Sequence, residues 1–275
     1  MKNLIGVMQG RLVPKYLGRY QAHPIGYWQE EFFIAQNLRL DCIEFILDFN
    51  EAIFNPLLTT NGILEINKII QKTGVKVRSV CADYFMDAPI HSKSLKVQKN
   101  SQFILNKLIS SVGDIGVTEV VIPCVDISTL DTDSKIDLFI ENLKPAIDIA
   151  EKKQINLSLE TDLAPEPFLN LLNRIDSNVV TVNYDIGNSA ALGYDSYEEL
   201  SLYGNRITDI HIKDRALGGG PVILGQGNAD FNSFFKSLKE YNYQGPFIMQ
   251  AYRDDEGVNI FQQQLNWISP YLEII

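Results

Sequence analysis

Eight short apolar, β-branched runs recur along this 275-residue chain, each followed by a longer segment of helical period. The runs fall at residues 4–8, 42–47, 76–81, 119–124, 155–160, 179–185, 207–213 and 247–251. The helical segments fall at 27–37, 62–72, 94–115, 134–153, 165–173, 196–203, 232–241 and 259–272. Strand–helix alternation builds parallel sheets, because a parallel pair needs a crossover long enough to hold a helix. Eight uninterrupted units favour a closed (β/α)8 TIM barrel, which takes about 250 residues as one domain. No Pro/Gly/Ser-rich linker divides the chain, so a single domain over 1–275 is expected. A doubly wound sheet would want a glycine-rich phosphate turn after its first strand, and GVMQGRL lacks the GxGxxG spacing.

The fourth crossover illustrates the helical reading. Ile136, Phe139, Ile140, Leu143, Ile147 and Ala150 recur at helical spacing behind the capping candidates Asp131 and Asp133. Pro145 interrupts the pattern and predicts a kink.

Charge narrows the function. With 24 Lys+Arg against 34 Asp+Glu, the chain carries a net charge of -10, the wrong sign for a protein that grips a phosphate backbone. Cys42, Cys81 and Cys124 all sit inside apolar runs and form no CxxC pair, which predicts reduced, buried thiols. The N-terminal MKNLIGVMQGR turns polar too soon for a signal peptide, and no apolar run reaches membrane-spanning length. A cytoplasmic protein with no nucleic-acid or membrane partner is expected.

Side chains alternate faces along a strand, so parity sorts lumen from helix side. In INLSLE, VVTVNYD, ITDIHIKD and FIMQA, the apolar parity belongs against the outer helices. Glu160, Asp185, His211 and Gln250 then face the lumen near the C-terminal ends of four consecutive strands. Active sites of this fold lie at that end. Their O, O, N and O donors suit one divalent ion (Mn²⁺, Co²⁺, Mg²⁺ or Zn²⁺), and only three histidines in the chain limit the site to about one metal.

The strings GVMQGRL, IEFILD, LSLETD, NYDIGNSA, DIHIKDR, LGQGNADF and IMQAYRDDEG, in this order, resemble the xylose isomerase-like TIM-barrel superfamily. That superfamily includes sugar and sugar-phosphate isomerases and epimerases, inosose dehydratase and endonuclease IV. The resemblance spans essentially the whole chain. It implies Glu160, Asp185 and His211 as ligands of a divalent metal, a fourth ligand at Gln250 where Glu is usual, and a homo-oligomer. Asn188 stands where several of the sugar epimerases carry His. An endonuclease IV-like activity is disfavoured, since that enzyme type needs a three-metal cluster with many more histidines.

The departure at Gln250 has chemical weight, because an amide can ligate through its carbonyl oxygen but cannot act as a base near neutral pH. Epimerases that resemble this scaffold use two carboxylates, and here Glu160 is the obvious one. This favours one-base chemistry unless Glu44, Asp83 or Lys213 restores the second function. Lys213 shares the parity of His211 and suits stabilisation of an enolate oxygen or a phosphate. Arg11, Arg215 and Arg253, just after strands, suit contacts to a phosphate or carboxylate. Glu44 on the lumen face of IEFIL suits orientation of substrate or a ligand. His23 and His91 are expected to touch substrate or solvent, and Trp28, Tyr84 and Phe85 either to wall a sugar or to pack. The expected function is a metal-dependent isomerase or epimerase of a sugar or sugar phosphate, with Glu160 as base and an enediolate intermediate. A keto-polyol dehydratase and a non-catalytic sugar-binding barrel are the alternatives.

Overall fold

The computed structural model describes residues 3–255 and 257–273. The expected domain boundaries at 1 and 275, and Glu256 of the string IMQAYRDDEG, lie outside the described residues. The chain forms β1 (Ile5–Met8), β2 (Cys42–Ile46), β3 (Lys76–Cys81), β4 (Glu119–Cys124), β5 (Asn156–Thr161), β6 (Val180–Asp185) and β7 (Ile207–Ile212). A short ribbon of β8 (Asp214–Arg215) and β9 (Pro221–Val222) follows, then β10 (Phe247–Met249). Eight of these strands close into a parallel barrel in the order β1-β10-β7-β6-β5-β4-β3-β2. All eight coincide with the expected runs to within two residues at either end.

The helices are α1 (Trp28–Asn37), α2 (Thr60–Thr73), α3 (Tyr84–Asp87), α4 (Leu95–Val112), α5 (Asp133–Lys153), α6 (Pro165–Ile175), α7 (Ile186–Leu192), α8 (Ser196–Tyr203), α9 (Phe231–Leu238) and α10 (Val258–Leu272). Helix α2 is capped at its start by Thr59, whose hydroxyl accepts from Gly62 N, and at its end by Gly74 in the left-handed region at φ 75°. The cap of α5 is neither Asp131 nor Asp133 but Thr132, between them, whose Oγ1 accepts from Lys135 N at 3.3 Å. Asp131 instead pairs with Lys135 Nζ at 2.8 Å. The helical assignment runs on through Pro145 without a break. Helices α3 and α7 were not expected, because 4 and 7 residues are too few to show a period.

Parity holds around the barrel. Met8, Cys42, Ile46, Cys81, Val121 and Ile248 form an apolar plug inside it. Val7, Phe45, Val80, Leu157, Leu159, Ile210 and Phe247 face outward into the larger layer beneath the helices. All three cysteines are free and buried, and burial pushes the Cys81 thiol well above its usual range.

The loop after β7 is held by one side chain. Asp214 Oδ2 accepts from Gly225 N and Gly227 N at 2.9 Å each, and Oδ1 accepts from Ala229 N at 3.1 Å. Gly227 is required by this approach, since a Cβ there would collide with Asp214 Oδ1. Each donor left without an acceptor costs about 1–3 kcal/mol, less where water can reach it. Asp214→Ala is therefore expected to lower unfolding stability by about 2–4 kcal/mol in a denaturant titration. A loss below about 1 kcal/mol would contradict this role.

Candidate metal centre and the cavity above it

Strand register brings three donors to one depth. Asp185 on β6 is the register partner of His211 on β7, and Glu160 closes the lumen row of β5. His211 Nδ1 lies 3.7 Å from Glu160 Oε2 and 3.9 Å from Asp185 Oδ2. These gaps are too long for hydrogen bonds, but they suit donors that each stand about 2.0–2.2 Å from a common ion. His211 is fully buried, yet its Nδ1 has no hydrogen-bond partner. Its other ring nitrogen, Nε2, is 2.8 Å from Glu44 Oε1, and Glu44 Oε2 accepts from Ser79 Oγ at 2.6 Å. Without a metal, and against the opposing effect of burial, Glu44 and Glu160 raise the His211 pKa to about 10; a metal at Nδ1 would displace that proton, with Nε2–H donating to Glu44.

Each carboxylate is itself placed. Asp185 caps α7, with Oδ1 accepting from Asn188 N at 2.8 Å, which leaves Oδ2 for Lys213 Nζ at 3.1 Å. Glu160 Oε1 accepts from Asn188 Nδ2 at 2.5 Å, and Arg215 Nη1 in turn donates to Asn188 Oδ1 at 2.8 Å. Burial, reinforced by Asp185, raises the proton affinity of Glu160. Gln250 donates through Nε2 to Gln21 Oε1 at 3.2 Å, and its buried Oε1 has no hydrogen-bond partner. An orphaned imidazole nitrogen, an orphaned amide oxygen and two converging carboxylates fit a divalent cation. Glu160, Asp185 and His211 offer ligand atoms within 4.8 Å of one another; Glu44, Asp209 and His211 form a second such set, deeper in the lumen. In that deeper set His211 Nε2 is already hydrogen-bonded, and burial followed by Glu44 pushes the Asp209 carboxyl well above its ordinary range, toward the neutral acid.

Above the donors lies a cavity of about 350 Å³ lined by Glu160, Asn188, Lys213, Arg215 and Gln250, all named from sequence. Gln21, Asp83, Asp126 and Asp162 complete its polar wall, with Met86, Val125 and Leu192 on the apolar side. A second space of about 210 Å³ shares Gln21, Lys213, Arg215 and Gln250 with it and adds Arg11, Tyr20 and Tyr252. Arg11 is buried and donates to Ala251 O, Tyr20 O and Gln21 Oε1. No carboxylate among the described residues pairs with it, and burial lowers its pKa to about 10.

Several expected residues are placed elsewhere. Glu44 lies beneath His211 and lines neither space. Arg253 donates to the carbonyls of Gly10 and Val13, holding the loop after β1. His23 packs between Trp28 and Phe45, where burial lowers its pKa to about 3, and His91 packs on Phe139. Trp28, Tyr84 and Phe85 are packing residues in the outer core. Gln21 was missed: it sits in a long irregular loop with no periodic signal. Asp162 was missed as well, although it stands just past the end of β5, beside LSLE.

A closed (β/α)8 barrel with Glu160, Asp185 and His211 gathered at its C-terminal mouth matches one family along most of the chain. The family model for the xylose isomerase-like TIM barrel matches residues 32–271, and the chain belongs to that family. UlaE of Salmonella typhi, an L-ribulose-5-phosphate 3-epimerase, is 26% identical over 250 residues, covering 86% of this chain and 87% of the relative. SgbU of Haemophilus influenzae, provisionally named for the same activity, is 28% identical over 264 residues, covering 90% and 92%. Among solved structures, 3-keto-D-glucoside 4-epimerase YcjR from E. coli superposes with a TM-score of 0.75 at 17% identity, covering 98% of this chain and 100% of that one. D-psicose 3-epimerase in the presence of D-fructose gives 0.76 at 14% identity, covering 98% and 99%.

A partner that orients a ligating imidazole typically contributes 10–100-fold in metal affinity. Glu44→Ala is expected to weaken Mn²⁺ binding by about that factor in a calorimetric titration. An unchanged Kd would show that Glu44 does not orient His211.

Proposed function

We propose that this protein is a metal-dependent epimerase of sugar phosphates in which Glu160 removes the proton next to a ketose carbonyl. The observation that carries this is the buried, unpartnered His211 Nδ1 converging with Glu160 and Asp185 below an open cavity. The curated relatives cover most of the chain and are named 3-epimerases, so the chain is an enzyme of the isomerase class. The substrate in their names, L-ribulose 5-phosphate, directs the choice to a ketose 5-phosphate inverted at C3.

Glu160, Asp185 and His211, with Gln250 Oε1 as fourth donor, would hold the ion. When bound, a divalent ion supplies Lewis acidity that makes the C–H beside a ketose carbonyl easier to ionise. Glu160 takes that proton from its place in the cavity wall. Asn188 fixes the Glu160 carboxylate by its 2.5 Å hydrogen bond, and Arg215 fixes Asn188. Lys213, held on Asp185, places an ammonium in the cavity wall where enediolate charge develops. Arg11, Lys213 and Arg215 give the adjoining space a positive lining free of carboxylates, which suits a phosphate. No helix among the described residues is long and apolar enough to cross a membrane, and three buried, unpaired cysteines suit a reducing cytoplasm.

Purified protein with Mn²⁺ is expected to convert L-ribulose 5-phosphate to its C3 epimer, to lose this activity with EDTA, and to regain it with Mn²⁺. Glu160→Gln is expected to lower kcat by about 10²–10⁴-fold. A Glu160→Gln enzyme that keeps full turnover would sink the assignment of the base, and water loss from the substrate would mark the dehydratase that Gln250 raised as an alternative.

A further inference from the structure

Epimerisation inverts one carbon, so a proton must leave from one face and another must arrive on the opposite face. Glu160 serves one face, and Gln250, where a second carboxylate is usual, carries no titratable group. We propose that Asp83 is the second proton-transfer residue, facing the same cavity from the β3 side; this inference rests on the epimerase reading.

The other candidates are committed elsewhere. Lys213 Nζ is bonded to Asp185, and Glu44 is sealed between His211 and Ser79. Asp162 accepts from Thr129 Oγ1 and from Asp126 N and stands beside Glu160 at the end of β5, on the same wall. Asp126 is exposed at the rim. Asp83 is half-buried and lines the cavity directly after β3, with β4 between it and β5. Adjacent strands lie about 4.8 Å apart, so β3 and β5 backbones are roughly 10 Å apart. Asp83 and Glu160 line one cavity from these two strands.

The wiring links Asp83 to the altered position. Gln21 Nε2 donates to Asp83 Oδ2 at 3.1 Å, and Gln21 Oε1 accepts from Gln250 Nε2 at 3.2 Å and from Arg11 Nη2 at 3.1 Å. The Cys81 thiol donates to Asp83 Oδ1 at 3.1 Å. A carboxyl absent from position 250 thus stands at the far end of a glutamine bridge. Burial raises the proton affinity of Asp83, which suits a group that must deliver a proton near neutral pH.

From one epimer, Glu160 takes the C3 proton. The C–H electron pair becomes the C2–C3 double bond, and the carbonyl pair moves onto O2. Asp83 then gives its proton to the opposite face of C3, and the C2 carbonyl re-forms. Glu160 ends protonated and Asp83 ionised, and exchange with water resets both. The reverse reaction uses the same groups with roles exchanged.

The test is run in D₂O with the Mn²⁺-loaded protein and L-ribulose 5-phosphate, followed by NMR at C3. Asp83→Asn is expected to lower epimerisation by about 100-fold or more, while deuterium still enters C3 of the one epimer whose proton Glu160 removes. Thermal stabilisation by Mn²⁺ should match wild type in Asp83→Asn, and Asp83→Ser repeats the test should the amide fail to fold. Epimerisation within threefold of wild type in the folded variant overturns the role of Asp83 and leaves the epimerase reading standing. Loss of exchange from both epimers in parallel also overturns it, since that marks a structural role. A wild-type protein that neither epimerises nor exchanges this substrate overturns the epimerase reading itself, and the second base with it.

Discussion

The hydrogen bond between His211 Nε2 and Glu44 Oε1 organises the centre of this molecule. At 2.8 Å it joins β7 to β2 across the lumen, with both side chains fully buried. It fixes the orientation of the ring, with Nδ1 on the side of Glu160 and Asp185. A buried carboxylate without such a partner would be costly. Glu44 has two partners, because Ser79 donates to its other oxygen. The apolar cluster of Met8, Cys42, Ile46, Cys81, Val121 and Ile248 shares the barrel interior with this pair.

Around that centre, single side chains serve two elements at once. Asp185 caps α7 with one oxygen and holds Lys213 with the other, so the helix start and the cavity wall share a residue. The loop after β1 is latched by Glu31, whose two oxygens accept from Gly10 N and Leu12 N at 2.8 and 2.9 Å. Arg253 closes the latch by donating to the Gly10 and Val13 carbonyls. This loop delivers Gln21 and Arg11 to the cavity, so a rim arginine expected to meet substrate acts one step further back, on the backbone that presents the rim.

The fold and the convergence of three lumen side chains were legible because both follow from period. Strand parity depends only on the pleat, and the closed sheet kept Glu160, Asp185 and His211 on the lumen side, as LSLE, NYD and DIHI implied. Tertiary pairing was not legible. Nothing in IEFIL says that Glu44 reaches β7 rather than a sugar, because that contact spans 167 residues. Gln21 lies in an aperiodic loop, and its bridge between Asp83 and Gln250 exists only once β1, β3 and β10 are brought together. The seven-residue α7 escaped for a related reason: its N-terminus is set by Asp185, which sequence reasoning had assigned to metal alone.

The proposed chemistry needs one ion held at the mouth by Glu160, Asp185 and His211. Anomalous diffraction from a Mn²⁺-soaked crystal tests this most directly. One peak in contact with Glu160, Asp185, His211 Nδ1 and Gln250 Oε1 is expected. A peak between Glu44, Asp209 and His211, or none at the mouth at saturating Mn²⁺, would contradict it.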